Sequence, residues 1–212
     1  VTEADRACET MLRRMISESR PADGVIGEEF EELNPGASRT WILDPIDGTR
    51  NYLRGVPVWA ILIALLVDGQ PEVGVVHAPA LGRTWWAATG HGAFTRDIDG
   101  QVRQIRVSGI NNLSDASFSF SDPIGWDAFG NGGGLKGIMN EVERIRAYGD
   151  FWSHMMVAEG IVDIAAEPKL HPYDQAALVP VVREAGGMMT GLDGHDLFES
   201  GSSLTKIGRA HV

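Results

Sequence analysis

Apolar residues recur at Cys8, Met11, Leu12, Met15 and Ile16, the i, i+3, i+4, i+7, i+8 spacing of one helical face. Thr2 stands before them as an N-cap, with Asp5 three residues on in a capping-box-like start. Arg20-Pro21-Ala22-Asp23-Gly24 ends the helix. Beyond it the period changes. Trp41-Ile42-Leu43 reads as a short buried strand stopping at Asp44-Pro45. The apolar run Val58 to Val67 is too continuous to alternate, so it predicts a strand covered on both faces that turns at Asp68-Gly69. Val73 to His77 should pair back on it, followed by a strand over Arg83 to Ala88 in which Trp85-Trp86 is core. The first half thus predicts a meander of strands with a helix laid on it.

A polar stretch from Ser108 to Ser114 marks the expected boundary between an N-terminal lobe, 1–110, and a C-terminal lobe, 111–206. Ser117-Phe118-Ser119-Phe120 alternates as a strand. Gly130 to Gly134 lacks the lysine-hydroxyl pair of a phosphate loop and reads as a flexible surface loop. Helices over Phe151 to Gly160 and Asp174 to Ala185 flank a strand over Ile161 to Ala166, which makes the second lobe α/β. Trp152 and His154 fall in the first of these helices as packing or surface residues. The chain opens on Val1 and runs straight into a helix, so upstream residues are expected to be missing. Ile207-Gly208-Arg209-Ala210-His211-Val212 breaks the preceding pattern and reads as a non-native tail, 207–212.

Composition narrows the function classes. The 212 residues carry 29 acidic and 18 basic side chains, a formal charge of −11. That excess argues against nucleic acid and anionic lipid as partners, since both require clustered Lys and Arg. Apolar residues make up 43%, which suits a globular chain rather than a disordered one. The longest apolar run is about half of the roughly 20 residues that span a bilayer. Cys8 is the single cysteine, which excludes an internal disulfide and a cysteine-based zinc site and points to the cytoplasm.

The acidic residues are clustered as well as numerous. Gly27-Glu28-Glu29 follows the apolar pair Val25-Ile26, and Asp44-Pro45-Ile46-Asp47-Gly48-Thr49 follows a buried strand. Asp5 opens one helix and Asp174 another. Each acid alone has an ordinary reading, as a solvated loop acid, a turn residue or a helix cap. The combination does not. Two aspartates three apart around a proline can aim Asp44, Asp47 and the Ile46 carbonyl at one point. The same turn leaves the Gly48 and Thr49 N–H groups free for a phosphate oxygen. Crowded carboxylates repel unless cations sit between them, and all-oxygen clusters suit hard divalent ions such as Mg²⁺.

These motifs resemble the inositol monophosphatase family of Mg²⁺-dependent, lithium-sensitive sugar phosphatases. Its Asp-Pro-Ile-Asp-Gly-Thr signature is met in full at Asp44 to Thr49, and its Gly-Glu-Glu at Gly27 to Glu29. Its Trp-Asp-x-Ala-Ala is met at Tyr173 to Ala177 with Tyr for Trp, and Thr2 to Asp5 resembles its Val-Thr-x-x-Asp. The resemblance runs from Val1 to about Thr190. It implies a layered αβαβα sugar-phosphatase fold, here short of both termini. It also implies two Mg²⁺ ions per site with room for a third. Glu28, Asp44 and the Ile46 carbonyl would hold the first ion. Asp44, Asp47 and Asp174 would hold the second, and Glu29 would support a weaker third. Thr49 with Asp5 would orient and deprotonate the attacking water, and the relatives form homodimers.

Arg146 to Asp150, Val157 to Pro168, Gly55 to Ala60 and Trp85 to Ala88 are most similar to actinobacterial histidinol-phosphatases. Glu167, seven residues before Asp174, sits where the inositol enzymes place a carboxylate on ring hydroxyls. Asp150 stands where they have a small neutral residue. The extra acid suits a cationic alcohol such as histidinol, although Asp150 also reads as an N-cap for the helix that follows. The expected activity is therefore Mg²⁺-dependent hydrolysis of histidinol phosphate, a small phosphorylated substrate, in histidine biosynthesis. An inositol-1-phosphate or broader sugar or nucleotide monophosphatase is the alternative within the class. A non-catalytic metal-binding regulatory domain is the alternative outside it, and it would have no use for the Asp5 and Thr49 pair.

Overall fold

A computed structural model describes residues 2–195 and 201–207 of the chain. Two sheets and three helical layers build it. The first sheet is made of β1 (Gly24–Gly27), β2 (Arg39–Asp47), β3 (Ala60–Val67), β4 (Gln70–Ala78), β5 (Arg83–Ala88), β6 (Ala93–Arg96) and β7 (Val102–Ile105), side by side in that order. All neighbours are antiparallel except β1 and β2. Helices α1 (Glu3–Ser19) and α2 (Thr49–Arg54) belong to the same half.

The second sheet is interleaved. It comprises β8 (Ser117–Phe120), β9 (Arg144–Arg146), β10 (Ile164–Glu167), β11 (Gly187–Thr190) and β12 (Ser203–Ile207), in the order β11-β12-β10-β8-β9. Its helices are α3 (Pro123–Ala128), α4 (Gly132–Glu141), α5 (Asp150–Ala158), α6 (Pro172–Gln175) and α7 (Leu178–Glu184). Helices α5 and α7 pack on each other between the sheets, α7 against β4 to β6 and α5 against β10 and β12. Helix α1 covers the far side of the first sheet. Trp126 of α3 and Leu135 of α4 cover the far side of the second, against Phe118, Phe120 and Ile164. The result is the expected αβαβα layering.

Period and packing agree in β3. Leu62, Ala64 and Leu66 face the central helices, while Ile63 packs with Ile16 and Leu43 beneath α1. The apolar run is continuous because both of its faces are covered.

Four expectations need correction. The buried face of α1 carries Asp5, Glu9 and Ile16, whereas Met11 and Met15 are 49% and 56% exposed. The helix is turned so that its acids, not its methionines, point inward. Gly132 to Gly134 form the first turn of α4 rather than a loop. The stretch from Asp174 to Ala185 contains two helices, with Asp174 in α6 and the break before Leu178. Ile207, assigned to the tail, is the last residue of β12 and pairs with Gly187, while 208–212 lie outside the described residues.

Candidate active site

The outer part of the site is built from the start of α1 and the end of β1. Thr2 caps α1, and its N–H donates to Asp5 Oδ2 at 2.7 Å. The other oxygen, Asp5 Oδ1, lies 3.4 Å from Thr49 Oγ1. The Thr49 hydroxyl also lies 2.9 Å from the Ile46 carbonyl. A hydroxyl carries one hydrogen, so the shorter contact takes it and Asp5 waits as the alternative acceptor.

Glu9 holds the next segment in place. Its side chain is fully buried. It accepts from the Glu29 N–H at 2.8 Å and from Arg13 Nε at 2.7 Å. Arg13 in turn donates to the Phe30 and Glu31 carbonyls at 3.1 and 3.0 Å. A Cβ on residue 27 would sit 2.1 Å from Glu9 Oε1, so Gly27 is required by that carboxylate's approach. Glu9 and Arg13 went unnoticed in the sequence. Their signal is an i, i+4 ion pair whose acid shares a helical face with Asp5 and Ile16. Glu29 Oε1 is buried without a hydrogen-bond partner among the described residues, and its Oε2 is 3.7 Å from Arg6. Loss of water, then Glu29, Asp174 and Asp5, push the Glu28 carboxyl up to about 7.

The inner part lies where β2 loses register. Asp44 pairs with Leu62 and Asp47 with Ala60, with a bulge between them at Pro45, which has no N–H for the ladder. The bulge lets both aspartates face the same side. Asp44 Oδ1 accepts from the Ile46 N–H at 3.0 Å. Asp47 Oδ2 accepts from the Phe151 N–H at 2.8 Å, which ties it to the start of α5. Asp174, in the first turn of α6, accepts from the His171 N–H at 2.6 Å.

The structure brings the acids into two trios, Asp44 with Asp47 and Asp174, and Asp5 with Glu28 and Glu29. In each, one oxygen from every member lies within 4.8 Å of the others. Glu28 therefore groups with Asp5 and Glu29, though it still raises the Asp44 carboxyl. Burial, followed by Asp47, Asp174 and Glu28, lifts Asp44 well above the usual carboxylate range. Burial, then Asp150 and Asp174, does the same to Asp47. Negative charge packed this closely is relieved by protons or by a hard cation, and an all-oxygen donor set fits the latter.

Two cavities meet beside these acids. An inner one of about 250 Å³ is reached by Asp47, Asp174, Asp150, Glu167 and His154. An outer groove of about 850 Å³ runs past Gly48, Thr49, Asn51 and Tyr148. Ser121 and Asp150 line both. Gly48 has φ +81° and caps α2, with the Val58 carbonyl 3.0 Å from where a Cβ would lie.

Asp150 is not the N-cap of α5. Gly149 is, and Asp150 follows it with φ +49°. Its carboxylate instead accepts from Asn51 Nδ2 at 2.8 Å, and burial followed by Asp174 pushes it up to about 6. Glu167, at the end of β10, is pushed up to about 8, mainly by burial. Asn51 is a third residue without a sequence signal, because its partner Asp150 lies 99 positions away.

A profile of the inositol monophosphatase family matches residues 1–209. The chain is 52% identical to the histidinol-phosphatase of Streptomyces coelicolor, over 100% of this chain and 80% of that protein. It is also 52% identical to the histidinol-phosphatase of Mycobacterium tuberculosis, over 100% and 81%. Among solved structures, inositol monophosphatase from Anabaena (Nostoc) sp. PCC 7120 superposes with a TM-score of 0.89 at 29% identity, over 99% of this chain and 83% of that one.

Proposed function

The chain belongs to the inositol monophosphatase family and is a phosphoric monoester hydrolase, and from that premise we propose that it hydrolyses histidinol phosphate with Mg²⁺. The observation that carries this reading is the convergence of Asp44, Asp47 and Asp174, with the further acid Asp150 anchored beside the same cavity.

Glu28, Asp44 and the Ile46 carbonyl would hold one Mg²⁺, and Asp44, Asp47 and Asp174 another, with Asp44 shared. Glu29 would assist a weaker third. Bound there, Mg²⁺ supplies positive charge to the phosphoryl oxygens and makes water more acidic. The remaining work falls to the chain. Thr49 and Asp5 align the attacking water, the hydroxyl passing its hydrogen to Asp5 Oδ1 as Thr49 Oγ1 takes one from the water. The Gly48 and Thr49 N–H groups hold a phosphate oxygen at the start of α2. Asp174 borders the ester, while Asp150 and Glu167 receive the alcohol. Two carboxylates suit an amine-bearing alcohol better than a neutral polyol, since charge-assisted hydrogen bonds are the stronger kind.

No helix among the described residues is long and apolar enough to cross a membrane. We place the reaction in the cytoplasm, where the lone Cys8 stays reduced, and in a homodimer, which sedimentation would test. Phosphate release titrated with Mg²⁺ tests the function directly. Histidinol phosphate should be favoured over inositol 1-phosphate in kcat/KM by about tenfold or more, the usual selectivity of a charge-assisted contact. Equal or reversed preference would refute the substrate, and release that persists in EDTA would refute the metal.

A further inference from the structure

His154 has no part in the scheme above, yet it occupies a wall of the inner cavity. It follows Asp150 by one turn of α5, so both side chains lie on one helical face, and it is 1% exposed. Burial lowers its pKa to about 4, which keeps the ring neutral. Its Nδ1 lies 2.8 Å from Thr205 Oγ1 on β12. Its Nε2 has no hydrogen-bond partner among the described residues, and neither does Glu167 Oε1 in the same cavity. Buried polar atoms are rarely left unpaired in native proteins, and two around one small cavity point to a ligand that pairs both. Phe151, Leu170 and Leu178 add apolar lining, and Lys169 adds a cation beside the acids.

We infer that the inner cavity takes the alcohol half of the substrate and that His154 Nε2 hydrogen-bonds a ring nitrogen of that alcohol, with Thr205 fixing the histidine behind it. The inference rests on the proposed substrate. With Thr205 donating to Nδ1, Nε2 carries the hydrogen. With Glu167 ionised by the substrate's ammonium, His154 and Glu167 then present one donor and one acceptor, the complement of a neutral imidazole. With Nδ1 donating to Thr205, both present acceptors, the complement of an imidazolium. The volume of about 250 Å³ falls below the roughly 300–1,000 Å³ of sites for drug-sized ligands and suits a small alcohol. Apolar surface from Phe151, Leu170 and Leu178 suits ring carbons. In this role His154 is a specificity residue, and Thr205 a positioning residue.

The test compares KM for histidinol phosphate with KM for glycerol 2-phosphate, in the whole chain with Mg²⁺. His154→Asn keeps a polar atom toward Thr205 and withdraws the one toward the cavity, whereas His154→Gln reaches toward the Nε2 position. His154→Asn should raise the ratio of the two KM values about tenfold, the usual scale for one lost hydrogen bond, and His154→Gln should restore part of it. Thr205→Val should shift the ratio the same way by less. Should His154→Asn fail to fold, the other two variants decide. A ratio that stays within twofold in the folded variants, or KM values that rise together, would assign His154 to packing and overturn the inference. Wild-type turnover judges the substrate separately. An enzyme inactive on histidinol phosphate sinks the proposed substrate, while an active enzyme with an unmoved ratio sinks only the role of His154.

Discussion

The two acidic trios are made of the same residue types, but they are held by opposite means. Asp44, Asp47 and Asp174 sit deep, two of them at a bulge where β2 pairs with β3. Asp44 and Asp47 take their positions from the backbone ladder and Asp174 from the first turn of α6, so the strain they carry is electrostatic. Asp5, Glu28 and Glu29 sit on a helix start and a strand end, and Glu28 is solvent-exposed. Their positions come from side chains, chiefly the buried Glu9 that binds the Glu29 N–H and Arg13 together. The inner trio is held by backbone elements and backbone N–H groups, and the outer one by a side-chain clip. A charged site can take its geometry from a sheet or must build it from further polar residues.

The harshest way to break the contrast is Asp47→Asn. It removes one charge from the inner trio while keeping the bond from the Phe151 N–H. Metal-dependent phosphate release should fall to background while circular dichroism and the melting curve stay native-like. Near-normal release would be fatal to the assignment. Thr49→Ala takes away the hydroxyl that lies between Asp5 and the Ile46 carbonyl. Its rate should drop roughly 10²–10⁴-fold, the range for losing acid–base assistance, in single-turnover assays.

Glu9→Ala addresses the clip itself. It leaves the Arg13 guanidinium, 15% exposed, without its carboxylate and frees the Glu29 N–H. Urea unfolding should show a loss of roughly 3–5 kcal/mol, the cost of unpairing a buried charge. A stability within error of wild type would mean that the outer trio needs no clip.

The smallest effect sharpens the contrast through pH. Asp150, Glu28 and Glu167 are raised to about 6, 7 and 8 in the fold, from ordinary values near 4. The folded state therefore binds these protons more tightly than the unfolded chain does. That stability is present below about pH 4 and is lost as pH rises through 6 to 8. Metal-free protein in EDTA should melt at a higher temperature at pH 5 than at pH 8. Added Mg²⁺ should raise the melting temperature more at pH 8, where the carboxylates are ionised. Calorimetry that shows a flat profile would mean that the acids are not crowded in solution.

Much of this was legible beforehand because it is local. The acids of Asp44 to Thr49 are contiguous in the chain, although the strand expected to stop at Asp44-Pro45 runs on to Asp47 through a bulge. The turn at Asp68-Gly69 and the exact span of Arg83 to Ala88 follow from turn chemistry and alternation. The α1 face was misjudged because Met11 and Met15 fit the helical period as well as Ile16 does, and period alone cannot say that a carboxylate outranks a thioether for the interior. Gly132 to Gly134 misled because glycine favours loops until tertiary packing overrides it.

What the amino-acid order determined by itself is the set of segments whose dihedral preferences and apolar periods agree over a few residues, and the acids placed at their ends. Only tertiary structure decided which distant atoms meet. Asn51 reaches Asp150 across 99 positions, the Phe151 N–H reaches Asp47 across 104, and Thr205 stands behind His154 across 51. Such pairs depend on how two sheets close over shared helices. That closure is driven by burial of apolar surface, which has no direction of its own, and the polar partners take whatever places the packing leaves them.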